Sequence, residues 1–275
     1  MKFGNRVLEF GRRAYLMGVL NVTPDSFSDG GRFSDEKAAI KRAQAMADEG
    51  ADIIDIGGES TRPGSNPVSV DEEIRRVIPV IKEVAPTVNA VVSVDTYKPE
   101  VAYRAVEAGA AMVNDINALR TKGMADFIAS SGVPVVLMHM QGTPRDMQQN
   151  PSYENVIDDI NRFFDERIMF ASSKGIKRDT LIIDPGIGFG KTLSHNLEIL
   201  RNLSEFKKHA CPLLVGPSRK AFIGGILNLP TEERLVGTLA AVTASVLNGA
   251  DIVRVHDVRE AARAVRVADA IKRGH

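Results

Sequence analysis

Along the chain, short apolar runs alternate with longer stretches in which apolar positions recur every three or four residues. The short runs are Tyr15–Leu20, Asp52–Ile56, Ala90–Val94, Met112–Asn114, Val133–Met138, Leu181–Ile183, Leu213–Val215 and Ile252–Val255. Continuous apolar character over so few residues predicts strands buried on both faces, as in a parallel sheet. The periodic stretches predict helices over Ser34–Glu49, Asp71–Val84, Pro99–Ala108, Lys122–Ser131, Tyr153–Lys174, Leu193–Leu203, Thr231–Leu247 and Val258–Lys272. Strands and helices therefore alternate strictly. Ahead of them, two short alternating pieces around Gly4-Asn5 predict a hairpin within residues 2–13.

One layout recurs. Glu49-Gly-Ala-Asp-Ile-Ile-Asp, Ala108-Gly-Ala-Ala-Met-Val-Asn and Asn248-Gly-Ala-Asp-Ile-Val-Arg each read as a helix end, a capping glycine, a small residue and a strand. Eight such units in about 250 residues predict a (β/α)8 TIM barrel with a short N-terminal hairpin, one domain over residues 1–275. The alternative is an open doubly wound sheet. That fold usually has fewer units and a glycine-rich turn directly after its first strand, whereas here Asn21-Val-Thr-Pro follows. The longest irregular pieces, Asn21–Phe33, Gly57–Val70 and Met140–Pro151, all follow strands. In a barrel they belong to the catalytic face.

A polar residue stands after every apolar run: Asn21, Asp55, Asp95, Asn114 with Asp115, His139, Asp184, Ser218, and Arg254 with His256. Acids and amides dominate the middle of the chain, while cations gather at its end in Lys220, Arg254 and His256. The division suits a ligand with a hydrogen-bonding ring at one end and anionic oxygens at the other. Asp55 and Asp115 read equally well as structural carboxylates bonding loop amides, and His139 as a satisfied interior imidazole. Asp95 and Asp184 are harder to dismiss, because a carboxylate ending a buried strand is costly without a partner. Asp184 is followed by Pro185-Gly-Ile-Gly-Phe-Gly-Lys191. So much glycine means either close backbone approach to a ligand or several positive φ angles. Ser218 suits an N-cap. Arg219 and Lys220, however, fall in an apparent first helical turn, where positive charge opposes the helix dipole.

Composition narrows the class. Lys plus Arg equals Asp plus Glu, 35 against 35, so no global basic field draws nucleic acid or anionic membrane. Hydrophobic content of 44% and charged content of 25% are ordinary for a globular protein. Cys211 is the only cysteine, which excludes an intrachain disulfide and a cysteine-based zinc site. The five histidines include no HxxxH pair, which argues against a transition-metal site. Loosely held Mg²⁺, bound through one side chain and substrate phosphates, stays compatible. No apolar signal core opens the sequence and no run reaches transmembrane length, so a cytoplasmic setting is expected.

Together these stretches resemble a known family. Leu20-Asn-Val-Thr-Pro-Asp-Ser-Phe-Ser-Asp29 and Gly50-Ala-Asp-Ile-Ile-Asp-Ile-Gly-Gly-Glu-Ser-Thr-Arg-Pro63 resemble the two signatures of dihydropteroate synthases. Ser93-Val-Asp-Thr-Tyr-Lys-Pro, Val113-Asn-Asp-Ile, Leu137-Met-His-Met, Asp184-Pro-Gly-Ile-Gly-Phe-Gly-Lys, Gly216-Pro-Ser-Arg-Lys and Arg254-Val-His-Asp also match, from about Tyr15 to about His256. The resemblance implies a barrel that condenses 6-hydroxymethyl-7,8-dihydropterin pyrophosphate with 4-aminobenzoate, giving 7,8-dihydropteroate and pyrophosphate in folate synthesis. It implies that Asp95, Asn114, Asp184 and Lys220 hold the pterin. Asn21, Thr61, Arg254 and His256 would meet the pyrophosphate, with Asn21 touching Mg²⁺. Thr61, Arg62, Pro63, Phe189 and Ser218 would border the aminobenzoate, and Asp95, Lys220, Arg254 and His256 would act in catalysis. The resemblance also implies a homodimer. The all-round apolar character of Arg234–Leu247 points the same way, since a barrel helix needs only one apolar stripe.

Two rivals follow. A pterin-binding module of corrinoid-dependent methyltransferases shares the barrel and the pterin carboxylates. It has no reason to keep Asn21–Arg32, Ser218 with Lys220, or Arg254 with His256. A non-catalytic paralogue would show erosion of the two long loops, and both are intact here.

Overall fold

Period-two alternation along eight parallel strands builds the molecule, because successive side chains on a strand point to opposite faces. A computed structural model describes residues 1–23, 32–61 and 64–274, with only the backbone of residues 32–35. The barrel strands are β3 (Tyr15–Asn21), β4 (Ile53–Gly57), β5 (Val91–Asp95), β6 (Met112–Asp115), β7 (Val135–Met138), β8 (Leu181–Asp184), β9 (Leu214–Val215) and β10 (Ile252–Val255). Their order is β8-β7-β6-β5-β4-β3-β10-β9. A single parallel bridge, Ile183 to Leu213, joins the two ends of that order. Each strand lies within two residues of its sequence-based position. β7 starts late because Pro134 has no N–H to give a ladder.

Tyr15, Met17, Ile53, Val91, Met112, Val136, Ile182, Leu214 and Ile252 form one buried cluster inside the barrel. Their neighbours in sequence, such as Leu16, Ile54, Val92, Val113, Leu137, Ile183, Val215 and Val253, belong to the larger cluster between strands and helices. A packed interior with a helical outer ring is the arrangement expected of this barrel. Phe3 and Leu8 join the interior cluster from the hairpin of β1 (Lys2–Phe3) and β2 (Arg6–Val7). The hairpin turns at Gly4, whose φ is +58°. It closes the barrel at the N-terminal ends of the strands, where Arg6 donates to the carbonyl of Val88 at 3.0 Å.

The helices are α1 (Arg32–Asp48), α2 (Val70–Val84), α3 (Pro99–Glu107), α4 (Met124–Ser131), α5 (Val156–Ser173), α6 (Leu193–Arg201), α7 (Ala221–Leu227), α8 (Leu235–Leu247) and α9 (Val258–Arg273). The recurring glycines end α1, α3 and α8 with φ of +107° at Gly50, +115° at Gly109 and +121° at Gly249. An L side chain there would be strained, which explains the repeated layout.

Two sequence-based expectations need correction. The helix expected over Thr231–Leu247 is a 3₁₀ turn, Thr231–Glu233, followed by α8. The break lies at Arg234, whose guanidinium donates to the carbonyls of Leu229 and Arg219 at 3.1 Å each. The helix start read near Ser218 and Lys220 continues as α7, which is not among the eight expected helices; Gly224-Gly225 lowers its helical signal.

Phe3 is 1% exposed and packs into the interior cluster of the barrel. Phe3→Ala should cost about 3–5 kcal/mol of unfolding free energy by chemical denaturation. An unchanged denaturation midpoint would mean that the hairpin is not part of the cooperative core.

Candidate active site

The inward-facing rows turn polar at the C-terminal ends of the strands. Asp55 lies in register with Val19 and Ser93, and Asp95 with Asn114. Arg254 ties this layer together. Its Nε donates to Asp55 Oδ2 at 2.7 Å and its Nη2 to Asp95 Oδ2 at 2.7 Å. Asn114 Nδ2 also donates to Asp55 Oδ2, at 2.8 Å. Asp55 is fully buried, so it anchors the other two and offers nothing outward. Burial pushes the Asp95 carboxyl upward, and the Arg254 guanidinium opposes the shift.

Asp115 and His139 leave the row. Asp115 accepts from the amides of Asn117 at 2.8 Å and Leu119 at 2.7 Å, the structural role left open by its sequence. His139 stacks edge-on against Phe163, with 4.9 Å between ring centroids. Its Nδ1 lies 3.0 Å from Lys191 Nζ. Burial and the Lys191 charge hold this imidazole down to about 2, so it is a neutral interior histidine.

Asp184 ends β8 and accepts from the amide of Gly186 at 2.7 Å. Gly186, Gly188 and Gly190 have φ of +68°, +82° and +63°. A Cβ at Gly186 would fall 1.9 Å from the His139 carbonyl oxygen, and one at Gly190 2.4 Å from that of Gln141. Of the two requirements read from sequence, the positive φ angles are met, and the close neighbour is the chain's own backbone rather than a ligand. Burial raises the Asp184 carboxyl to about 6, against the pull of the Gly186 amide and Lys220.

The turn after β9 supplies the opposite wall. Arg219 stands outside α7 with φ of +57°, and its guanidinium pairs with Asp257. That pair fastens the turn after β9 to the one after β10. It also removes the apparent clash of Arg219 with the helix dipole. Lys220 occupies the N-cap of α7 and holds its Nζ over the Phe189 ring, 4.2 Å from the centroid. Burial, then Arg254, lowers the Lys220 amine to about 8. The backbone N–H of His256 donates to Ser218 Oγ at 3.2 Å. The Ser218 hydroxyl proton is left for His256 Nδ1, 3.0 Å away. Burial and the Arg254 charge hold His256 down to about 3. This imidazole is thus neutral, with Nε2–H as its remaining donor. His256, grouped from sequence with Lys220 and Arg254 among the cations at this end, is left neutral by burial beside Arg254.

These groups line a cleft of about 460 Å³, including its open mouth. Of the residues singled out from sequence, Thr61, Asp95, Asn114, Asp184, Phe189, Ser218, Lys220, Arg254 and His256 meet there. Asn21 is half-buried at the end of β3, outside this lining. Arg62 and Pro63 lie outside the described residues, as do Asp25, Phe27 and Asp29, placed from sequence in the first long loop. Sequence reasoning missed the apolar walls, Val19, Ile116, Met138 and Ile187. For Val19 and Met138 the inward parity of β3 and β7 was an available signal.

A barrel that gathers carboxylates, an amide and cations into one cleft at its C-terminal face has the makings of a small-molecule enzyme. The model of the pterin-binding enzymes matches residues 17–256. A dihydropteroate synthase of Escherichia coli K12 is 50% identical over 256 residues, covering 93% of this chain and 91% of the relative. A solved Yersinia pestis dihydropteroate synthase, in complex with a sulfonamide drug, superposes with a TM-score of 0.94 at 44% identity, covering 99% and 98% of the two chains. A Xanthomonas albilineans dihydropteroate synthase in complex with 7,8-dihydropteroate gives 0.90 at 42% identity, covering 98% of each. The chain belongs to the dihydropteroate synthase family of pterin-binding enzymes.

Removing the central cation tests this geometry. Arg254→Gln strands two buried carboxylates, which should cost roughly 3–5 kcal/mol of stability at pH 8. The loss should shrink at pH 5, where protonation relieves Asp95. Thermal unfolding across that range checks it; a deficit independent of pH would remove the carboxylate pairing from the explanation.

Proposed function

We propose that this cleft joins 6-hydroxymethyl-7,8-dihydropterin pyrophosphate to 4-aminobenzoate, releasing 7,8-dihydropteroate and pyrophosphate. One observation carries the reading: Asp95, Asn114 and Asp184 line the same cleft as Lys220, Arg254 and His256. A pterin edge alternates donors and acceptors, which carboxylates and an amide can read in pairs. Asp95, Asn114, Asp184 and Lys220 take the ring in this proposal. Arg254, His256, Thr61 and Asn21 face the pyrophosphate, where charge builds on the leaving oxygens. Thr61, Arg62, Pro63, Phe189 and Ser218 border the aminobenzoate.

In the reaction, the C–O bond between the pterin methylene and pyrophosphate breaks, and its electron pair leaves with the oxygen. The electron-rich ring delocalises the cation that remains. The arylamine nitrogen then forms the new C–N bond and gives up a proton. An aromatic amine is already neutral near pH 7, so no protein nucleophile is needed. Dry walls such as Ile187, Met138 and Phe189 help keep water from the cation.

The residues present fit Mg²⁺ only as a loosely held ion. No group of three or more His, Cys, Asp or Glu among the described residues is arranged to hold a metal. Hard Mg²⁺ often takes one or two protein oxygens and completes its shell with phosphate and water. The Asn21 amide oxygen would hold it, and the ion would supply positive charge to the leaving pyrophosphate.

The same reading includes a homodimer in the cytoplasm. No described helix is long and apolar enough to cross a membrane. On α8, Val236 is 77% exposed, and on α7, Ile226 is 55% exposed. The two helices are close: a Cβ on Gly237 would lie 2.4 Å from Ile223 and 2.9 Å from Leu227. An apolar patch of this kind is a site for a second copy of the chain. At micromolar concentration the solution mass should be near twice the 29.8 kDa of one chain. Val236→Glu should halve it, and a monomeric wild type would remove the dimer from the reading.

Aminobenzoate-dependent release of pyrophosphate from the pterin substrate tests the reaction itself. Asp184→Asn keeps the shape but turns an acceptor into a mixed donor and acceptor. It should cost about 2–4 kcal/mol of pterin binding, roughly 30- to 1,000-fold in affinity. Calorimetry showing unchanged affinity in the folded variant would take Asp184 out of the pterin site.

A further inference from the structure

Behind the cleft lies a buried charge cluster that the reaction does not use. The chain leaves β4 at Gly57 and starts α2 at Val70. Both limbs of this connection meet at one ammonium. Lys98 Nζ donates to Glu59 Oε2 at 2.6 Å, to Glu73 Oε2 at 2.6 Å and to the Val68 carbonyl at 2.8 Å. An ammonium has three donors, and all are engaged. Glu59 stands on the outgoing limb, Val68 on the returning one and Glu73 in the first turn of α2. Glu59 also accepts from the Val68 amide at 2.9 Å and, through Oε1, from the Tyr97 hydroxyl at 2.8 Å.

The cluster is nearly dry: Glu73 is 1% exposed and Lys98 9%. Burial pushes the Glu73 carboxyl up. Two buried carboxylates around one ammonium are a poor route to stability, because apolar side chains of similar volume avoid the desolvation cost. What such a network offers is fixed geometry. None of its members lines the cleft, but Thr61, two residues beyond Glu59, does.

We propose that Lys98 is a positioning residue: by clamping both limbs of the β4–α2 connection it sets where Thr61 stands, and so governs productive binding of the arylamine substrate. The assignment of that substrate rests on the functional reading above; the clamp itself does not. Lys98→Met should leave the dissociation constant of 6-hydroxymethyl-7,8-dihydropterin, which lacks the pyrophosphate that Thr61 also faces, within about threefold by calorimetry. It should raise KM for 4-aminobenzoate or lower kcat by roughly 10- to 100-fold, the scale of a small misplacement. The effect should be non-additive with Thr61→Ala, because both act at one point. Lys98→Arg keeps the charge but not the three-point geometry, and should show the same pattern if Lys98→Met fails to fold. Hydrogen exchange at the Val68 amide should be faster in either variant, whatever the substrate proves to be. Equal loss of pterin and aminobenzoate binding, effects additive with Thr61→Ala, or unchanged exchange at Val68 would overturn the proposal. If wild type releases no pyrophosphate while exchange still quickens, the functional reading fails and the clamp stands.

Discussion

The bond from Arg254 to Asp55 and Asp95 is the constraint on which the rest of the site depends. A barrel interior is filled with side chains, and its upper layer here must hold charge without water on every side. One guanidinium shared between two carboxylates, with Asn114 closing on Asp55, meets that demand. Arginine suits this point because its donors sit in a rigid planar fork that stays charged when buried, which fixes the two carboxylates relative to each other. Asp55 is thereby spent on structure, and Asp95 stays at the edge of the cleft with one oxygen engaged.

Below this layer the interior is apolar and closed by the hairpin; above it the loops begin. The strand rows carry both halves without a change of backbone. Ile53 and Asp55 face the same way, as do Val91 and Asp95, Met112 and Asn114, Ile182 and Asp184, and Ile252 and Arg254. Scaffold and site are successive layers of one packing pattern. That explains why residues scattered over two hundred positions reach one cleft.

Much of this was legible in the chain. Eight apolar runs located the strands, and a polar residue after each run located the rim. Parity sharpens the second step: counting by two from Met112 and Val136 keeps Asn114 and Met138 inside and sends Asp115 and His139 out. Other features were hidden because they are tertiary. No local pattern pairs Lys98 with Glu59 and Glu73, or Arg219 with Asp257, because the partners lie up to 39 residues apart. α7 was obscured by its two glycines, and the neutral state of His256 follows from burial beside Arg254 rather than from residue type.

The seam between β8 and β9 gives the site a mechanical meaning. These neighbours share one bridge, Ile183 to Leu213, and β9 has only two residues. Asp184 stands on one side of the seam, and Ser218 and Lys220 on the other. A ligand held by both sides acts as a rivet across the thinnest joint of the cylinder. By mass action, part of its binding free energy then appears as resistance of the whole barrel to opening. Occupancy would be read in the melting temperature as directly as in turnover.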